Sequence, residues 1–293
     1  MMTQDMCPFL SKEHKVKPCP GCKMITTWTK DTGHDVILNQ CLNEISKKVE
    51  SAITSNKQKT LPFELYKLRI LTTSEEEHPL DIISIKKKAQ RTLDSIETHH
   101  HPENFDKEIQ FHLYVGDVLF NLGEYTKALE YYNQASRKAP DEKRAWNNIG
   151  VTKVRQGMVK EALSYYDRAL KLDPAFGSAW FNKGKAMFKL GMEKKALDCF
   201  KKATKFSPEN KSAWNNLGVT LRHLKKFKES IKCYDRAIKI HSEYPWAWHN
   251  KGVALMELKR YKEAMQCFDK ALFIDPDYEP AKESKRDVMR KLM

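Results

Sequence analysis

The chain has 293 residues, of which 41% are hydrophobic and 31% are charged. This composition is typical of a folded globular protein, and the length allows one large or two modest domains. No segment approaches ~20 consecutive apolar residues, and the start of the chain lacks a basic segment followed by an apolar one. We therefore expect neither a transmembrane helix nor a secretory signal.

Positive charge is concentrated in the C-terminal part of the chain. Lys and Arg number 52 against 38 Asp and Glu, which gives a net charge of +14. Residues 1–108 contain 16 residues of each sign, so the whole excess lies in residues 109–293. Such an excess favours acidic proteins, nucleic acid or an anionic surface as partners, without choosing among them.

Residues 1–54 carry four cysteines, two of which form the CxxC of a zinc knuckle, while the spacing of the others is irregular. Cys19 and Cys22 flank a Pro-Gly turn, Cys7 lies upstream, and Cys41 falls in a predicted helix. Four thiolates can close a tetrahedral zinc site. We therefore predict that these four cysteines bind zinc.

The number of cysteines in the chain favours a reduced compartment. Seven is an odd number, and no predicted signal precedes them, so a cytoplasmic location fits better than a disulfide framework. His14 and His34 are alternative fourth ligands. Unpaired thiols, an iron–sulfur cluster or a redox pair remain alternatives to zinc.

Residues 55–108 are predicted to be a helical linker that covers the apolar end of the region beginning at residue 109. A polar stretch from Ser55 to Thr60 precedes a short apolar element from Phe63 to Leu71. A second helix starts after Asp81, and its apolar residues recur at helical spacing. They are Ile82, Ile85, Ala89, Leu93 and Ile96.

A 34-residue period organises the rest of the chain. Each tryptophan of the period is followed four residues later by a glycine, in the pairs Trp146 and Gly150, Trp180 and Gly184, Trp214 and Gly218, Trp248 and Gly252. Gly116 extends the pattern back by one period. The five units are 109–142, 143–176, 177–210, 211–244 and 245–278.

Each unit is predicted to contain two helices. In the second helix, a small residue, an aromatic and an alanine recur at spacings of four and three, which places them on one helical face. The aromatic residues are Tyr132, Tyr166, Phe200, Tyr234 and Phe268. A proline ends the second helix in four units, at Pro140, Pro174, Pro208 and Pro276.

These residues resemble the tetratricopeptide repeat family over all five units. The resemblance implies an all-α fold, an α-solenoid of helix-turn-helix units, and we predict a C-terminal capping helix over 279–293. Two positions depart from the family pattern, since His112 replaces the tryptophan and Ser242 replaces the proline. We interpret the recurring Cys199, Cys233 and Cys267 as packing positions.

The resemblance also implies a concave groove lined by the first helices, with the sixth position of each unit facing it. That position is Asn148, Asn182, Asn216 and Asn250 in four successive units. This row resembles the asparagine ladders of the O-linked N-acetylglucosamine transferase repeats and of importin-type solenoids. Because asparagine both donates and accepts hydrogen bonds, the row is predicted to bind an extended peptide backbone. Hydrogen bonds to neighbouring helices are the alternative.

Basic residues at other inner positions predict an acidic ligand. They are Arg155, Lys185, Lys189 and Arg222. Chaperone carboxylate clamps use a fixed set of Lys and Asn residues at inner positions. Leu113 and Asp117 occupy two of these positions in the first unit, so the clamp pattern is not met.

Sequence motifs of catalysis are not found, including zinc-protease, serine-hydrolase and phosphate-loop patterns. We therefore expect a non-enzymatic adaptor that binds an acidic protein or peptide in the groove. Nucleic-acid binding through the zinc module and the basic solenoid is the alternative, and a regulatory subunit of a larger complex is a third hypothesis.

The zinc hypothesis predicts bound metal in the purified 1–60 fragment. Metal analysis is expected to find one zinc ion per fragment, held by Cys7, Cys19, Cys22 and Cys41. A folded fragment without zinc would contradict it.

Overall fold

The computed structural model describes residues 105–292. This part of the chain contains eleven α-helices and no strand. They are α1 Phe105–Asn121, α2 Tyr125–Lys138, α3 Lys143–Arg155, α4 Val159–Leu172, α5 Gly177–Lys189, α6 Glu193–Phe206, α7 Lys211–His223, α8 Phe227–Ile240, α9 Pro245–Glu257, α10 Tyr261–Ile274 and α11 Glu279–Leu292. The chain divides into two compact units after Lys138.

The cysteines of the predicted zinc module, Cys7, Cys19, Cys22 and Cys41, lie outside the described residues, as do His14 and His34. The predicted linker helices between residues 55 and 104 also lie outside them. The zinc site and the linker therefore stay predictions.

The first compact unit, described from residue 105, contains the helix pair α1 and α2. Gly116 of α1 faces the ring of Tyr132, whose hydroxyl donates a hydrogen bond of 2.7 Å to Asp117. His112, which replaces the tryptophan of the other repeats, is buried, and its Nδ1 lies 2.6 Å from the carbonyl oxygen of Glu108. The departure from the repeat pattern is thus accommodated by a local contact.

The second unit, residues 139–292, contains four helix pairs followed by α11. In every pair, a glycine of the first helix lies against an aromatic ring of the second. A Cβ atom at Gly218 would lie 2.5 Å from Cε1 of Tyr234, and one at Gly184 would lie 2.8 Å from Cδ1 of Phe200. The recurring glycine is therefore required by the close approach of the two helices.

The repeated tryptophans hold the turns that precede the first helices. Each indole N–H donates a hydrogen bond to the carbonyl oxygen six residues earlier. The pairs are Trp146 with Pro140, Trp180 with Pro174, Trp214 with Pro208 and Trp248 with Ser242, at 2.7–2.8 Å. Because the acceptor is a backbone carbonyl, the replacement of proline by Ser242 leaves this contact intact.

Neighbouring pairs in the second unit stack so that the first helices form one continuous row. Helix α3 contacts α5, α5 contacts α7, α7 contacts α9, and α9 contacts α11. The second helices make no comparable contact with one another in the described residues. The first helices are therefore the more closely spaced, inner row. The predicted all-α solenoid with a C-terminal capping helix is confirmed.

A left-handed residue makes the turn between the two helices of each repeat. Gly157 and Gly191 adopt this conformation with φ of 84° and 72°, and Lys225 and Lys259 adopt it with φ of 59°. Glycine takes this conformation without the steric cost that a side chain carries.

Substitution of Gly184 by Ala is expected to destabilise the fold because the added methyl group collides with the buried ring of Phe200. The free energy of unfolding in urea should fall by about 1–3 kcal/mol. The exposed Ser178 in the same helix provides the control, since Ser178→Ala should change it by less than about 0.5 kcal/mol. Equal effects of the two substitutions would contradict the close-approach account.

Candidate peptide-binding groove

The four predicted ladder residues lie one per helix on α3, α5, α7 and α9. Asn148, Asn182, Asn216 and Asn250 are all half-buried. The structure therefore brings these side chains onto the inner row of helices, partly open to solvent.

Two of the ladder residues link adjacent repeats. Nδ2 of Asn182 donates to Oδ1 of Asn147, and Nδ2 of Asn250 donates to Oδ1 of Asn215, both at 3.0 Å. The acceptors, Asn147 and Asn215, are buried. For these two residues the alternative left open by the sequence, a hydrogen bond to a neighbouring helix, is what the structure shows.

The other two ladder residues have different partners. The residue 35 positions before Asn216 is Phe181, which offers no side-chain acceptor, in contrast to Asn147 and Asn215 at the equivalent positions. Nδ2 of Asn216 instead donates to the carbonyl oxygen of Ser212 at 2.8 Å. Oδ1 of Asn148 accepts from Nδ2 of Asn147 at 3.1 Å. Asparagine hydrogen bonds therefore link the second repeat to the third and the fourth repeat to the fifth. The junction between the third and fourth repeats lacks such a bond among the described residues.

Charged pairs accompany the two inter-repeat hydrogen bonds, and a further pair occurs at α11. Lys183 pairs with Asp167, across the same junction as the bond between Asn182 and Asn147. Lys251 pairs with Asp235 at 2.6 Å, across the junction between the fourth and fifth repeats. One period further, Lys285 of α11 pairs with Asp269 at 2.6 Å.

The junction between the third and fourth repeats is apolar instead. Leu217 takes the lysine position and Lys201 the aspartate position. Leu217 is buried in a cluster against which Phe181, Phe188 and Trp214 pack. Hydrophobic burial replaces the polar links here.

Three of the ladder amides keep hydrogen-bonding capacity for a ligand. An asparagine amide has two N–H donors and one acceptor oxygen. Within residues 105–292, the hydrogen bonds of Asn182, Asn216 and Asn250 each use a single donor. A second N–H and the oxygen of each amide remain.

The predicted basic residues differ in exposure. Arg155, Lys185 and Lys189 are exposed, whereas Arg222 is half-buried. Another inner cation, Arg144, is neutralised, because its guanidinium contacts both carboxylate oxygens of Glu142 at 2.9 and 2.8 Å. The predicted basic residues thus lie on α5 and at the ends of α3 and α7.

Apolar side chains accompany the ladder residues on the first helices. Val151, Val219 and Val253 are half-buried one turn beyond the ladder residues. Near α11, Trp246 is 42% exposed and makes an edge-to-face contact with Tyr278, with ring centroids 6.1 Å apart. The sequence analysis did not predict this contact between Trp246 and Tyr278. The sequence feature that could have indicated it is the tryptophan at the second position of the fifth unit.

The cysteine series of the repeats is buried. Burial raises the pKa of Cys233 and Cys267 to about 11, and it also raises the pKa of Cys199. Protonated buried thiols behave as small apolar groups. No cluster of three metal-ligating side chains occurs in the described part of the chain. None of the helices there is long and apolar enough to span a membrane.

Comparison with protein families identifies the repeats. Tetratricopeptide repeat models match residues 115–175, 177–210, 212–244 and 245–278, which together exceed half of the chain. The chain belongs to the tetratricopeptide repeat family. Repeats of this family generally mediate protein–protein interactions, and the fold is typically a non-enzymatic scaffold. None of the curated proteins compared with the chain matches it.

Solved tetratricopeptide repeat structures share the fold. YrrB, described as having an unusual peptide-binding site, is 23% identical with a TM-score of 0.52, covering 63% of this chain and 98% of its own. A thermophilic repeat protein of Thermus thermophilus is 19% identical with a TM-score of 0.51, covering 62% and 98%. MamA from Desulfovibrio magneticus is 19% identical with a TM-score of 0.52, covering 58% and 97%. At these identities the likeness shows the fold alone.

The hydrogen bond between Asn147 and Asn182 predicts an energetic coupling between two repeats. In a double-mutant cycle with alanine, the two residues should couple by about 0.5–1.5 kcal/mol in the free energy of unfolding. The control pair, Asn182 and Asn216, shares no hydrogen bond and should be additive within about 0.5 kcal/mol. Additivity at Asn147 and Asn182 would show that their contact does not stabilise the junction.

Proposed function

We propose that the chain is a non-enzymatic adaptor that binds an extended acidic peptide along the inner row of helices α3, α5, α7 and α9. The observation that carries the proposal is that the second to fifth repeats each present an asparagine amide on the first helix, and that cations lie on the same helices. The amides are Asn148, Asn182, Asn216 and Asn250, and the cations are Arg155, Lys185, Lys189 and Arg222.

The amides of Asn182, Asn216 and Asn250 suit an extended backbone because each has a second donor and an acceptor, which can bind a peptide regardless of its side chains. Two of them are also held in place before a ligand arrives. The hydrogen bonds from Asn182 to Asn147 and from Asn250 to Asn215 fix the amide orientation. A fixed orientation lowers the entropic cost of binding.

The cations give the groove its preference for negative charge. Lys185 and Lys189 lie one turn apart on α5 and are both exposed. Exposed charges act mainly on the choice of partner and on the association rate, through which they also change the dissociation constant. An acidic segment is therefore attracted to the groove and oriented by these side chains, while the amides hold its backbone.

The described peptide-binding site of YrrB supports a peptide ligand, since its repeats share this fold. Nucleic acid is the alternative ligand. In that case the logarithm of the binding constant for nucleic acid would fall linearly with the logarithm of the salt concentration. The predicted zinc module of residues 1–54 would provide a second binding surface, whether the ligand is a peptide or nucleic acid.

Peptide display tests the proposal. Random peptides displayed on phage are selected on the immobilised full chain, and the dissociation constants of synthesised winners are measured by fluorescence anisotropy. The winners should be rich in Asp and Glu. The double substitution Lys185→Glu and Lys189→Glu should weaken their binding about tenfold or more, because attraction becomes repulsion.

A matched control separates groove charge from net charge. Lys194 and Lys195 are exposed on α6, a second helix, and their replacement by Glu changes the net charge equally. Affinity should then change by less than about twofold, because salt screens distant charges. Equal weakening by the two variants, or selection of peptides without acidic residues, would contradict the proposal.

A further inference from the structure

In two repeats, the turn that ends the unit holds the ammonium group of a lysine. In the second unit, Nζ of Lys143 lies 2.5 Å from Oδ2 of Asp173 and 5.1 Å from the ring centroid of Phe176. In the fourth unit, Nζ of Lys211 lies 5.0 Å from the ring centroid of Tyr244. A carboxylate attracts an ammonium by its charge, and a ring face attracts it by its quadrupole. The second unit thus shows a lysine site built from one carboxylate and one ring.

The fifth unit has the carboxylate and the ring at the same two positions, but it lacks the lysine. Asp275 and Tyr278 are equivalent to Asp173 and Phe176, whereas Pro245 stands at the position of Lys143. Asp275 forms no ion pair with any described residue, in contrast to Asp173. The fifth unit therefore presents both groups that hold an ammonium in the second unit, without a lysine of its own between them.

The same hydrogen bonds close the turns of the second and fifth units. The N–H of Phe176 donates to the carbonyl oxygen of Asp173 at 3.1 Å, and the N–H of Tyr278 donates to that of Asp275 at 3.3 Å. Oδ1 of each aspartate accepts the backbone N–H two residues later, at 2.8 and 3.1 Å. In the second unit, Oδ2 is the oxygen that contacts the lysine. Because the turns match, Oδ2 of Asp275 is placed to contact an ammonium in the same way.

The surroundings of Tyr278 favour a cation. Burial raises the pKa of Tyr278, and the negative charge of Asp275 raises it further, so the carboxylate acts on this side chain. The ring centroid of His249 lies 5.4 Å from that of Tyr278, and its imidazole is neutral near pH 7 because burial lowers its pKa. The ammonium of Lys282 on α11 lies 2.7 Å from Oε1 of Glu279, which neutralises it. The charge of Asp275 is therefore available to a ligand.

An exposed tryptophan adds a further ring beside this turn. Trp246 is 42% exposed, and its ring centroid lies 6.1 Å from that of Tyr278 and 5.4 Å from that of Tyr244. Its ring plane makes an angle of 65° with that of Tyr278. Arg144 and Ser212 stand at this position in the second and fourth units. Tryptophan gives the strongest cation–π contacts, so the fifth unit combines a carboxylate with a ring that a partner can reach.

We propose that Asp275, Tyr278 and Trp246 bind the ammonium group of a lysine side chain from a partner protein. The ammonium contacts the carboxylate and the ring faces, as Lys143 does within the second unit. This inference goes beyond the proposed function. It assigns a cationic group of a partner to the turn between α10 and α11, whereas the proposed function assigns an acidic segment to the first helices.

Titration of the full chain with acetyl-lysine amide tests this lysine site. The indole N–H signal of Trp246 is followed by NMR and assigned by its loss in the variant Trp246→Phe. It should shift saturably with the probe, because the ammonium binds beside the indole ring. Acetyl-norleucine amide has the same carbon chain without the ammonium, and it should cause no saturable shift.

The charge of Asp275 is tested by a substitution that keeps the turn. Asp275→Asn retains the Oδ1 acceptor for the N–H of Asp277 and removes only the negative charge. It should weaken the binding of the probe about three- to tenfold. Asp277 is fully exposed, and Asp277→Asn is the control because it removes the same charge from the same turn. The control should change the affinity by less than about twofold, since exposed charges contribute little.

A lysine restored within the chain gives a second test, which leaves all three proposed contact residues in place. Lys143 and Lys211 are the first residues of α3 and α7, so the start of α9 should accept Pro245→Lys. Its ammonium competes with the probe at a high effective concentration and should weaken the binding of the probe about tenfold or more. Pro245→Ala is the control and should leave the binding of the probe unchanged.

These measurements can overturn the lysine site without reference to the acidic peptide. Absence of a saturable shift of the Trp246 signal, or an equal shift with the norleucine probe, would contradict it. Unchanged binding of the probe in Pro245→Lys would also contradict it, and this variant keeps the test decisive if Asp275→Asn fails to fold. Displayed peptides that bind through Lys185 and Lys189 would leave the proposed function standing in each of these cases.

Discussion

The close contact between a glycine of the first helix and an aromatic ring of the second sets the geometry of every described repeat. At Gly218 the ring of Tyr234 occupies the space of a side chain, and the same holds in the other repeats. This contact fixes how near the two helices lie and how they are rotated. The rotation leaves the sixth position of each first helix on the inner row, so the composition of the candidate groove depends on it.

The repeats of the second unit are joined by two kinds of junction. Amide hydrogen bonds and Lys–Asp pairs link the second repeat to the third and the fourth to the fifth. An apolar cluster around Leu217 joins the third to the fourth. Polar links demand specific geometry, whereas apolar contacts tolerate adjustment. The ladder amides are therefore best fixed in repeats three and five, on either side of the apolar junction.

The repeat pattern made most of the fold predictable, because its signals are local. Trp146, Gly150 and Tyr166 recur at fixed spacing, and each has a role within one repeat that spacing alone reveals. That the ladder residues lie on the first helices was predictable for the same reason. Their partners were not, since these depend on the residue 35 positions earlier, where Asn147 and Asn215 alternate with Phe181.

Photo-crosslinking tests most directly whether the inner row of first helices is the binding surface. An acidic peptide selected on the full chain would carry a benzophenone group, and the crosslinked residues would be located by mass spectrometry. The account predicts adducts on α3, α5, α7 and α9. Adducts confined to the second helices α4, α6, α8 and α10 would contradict it.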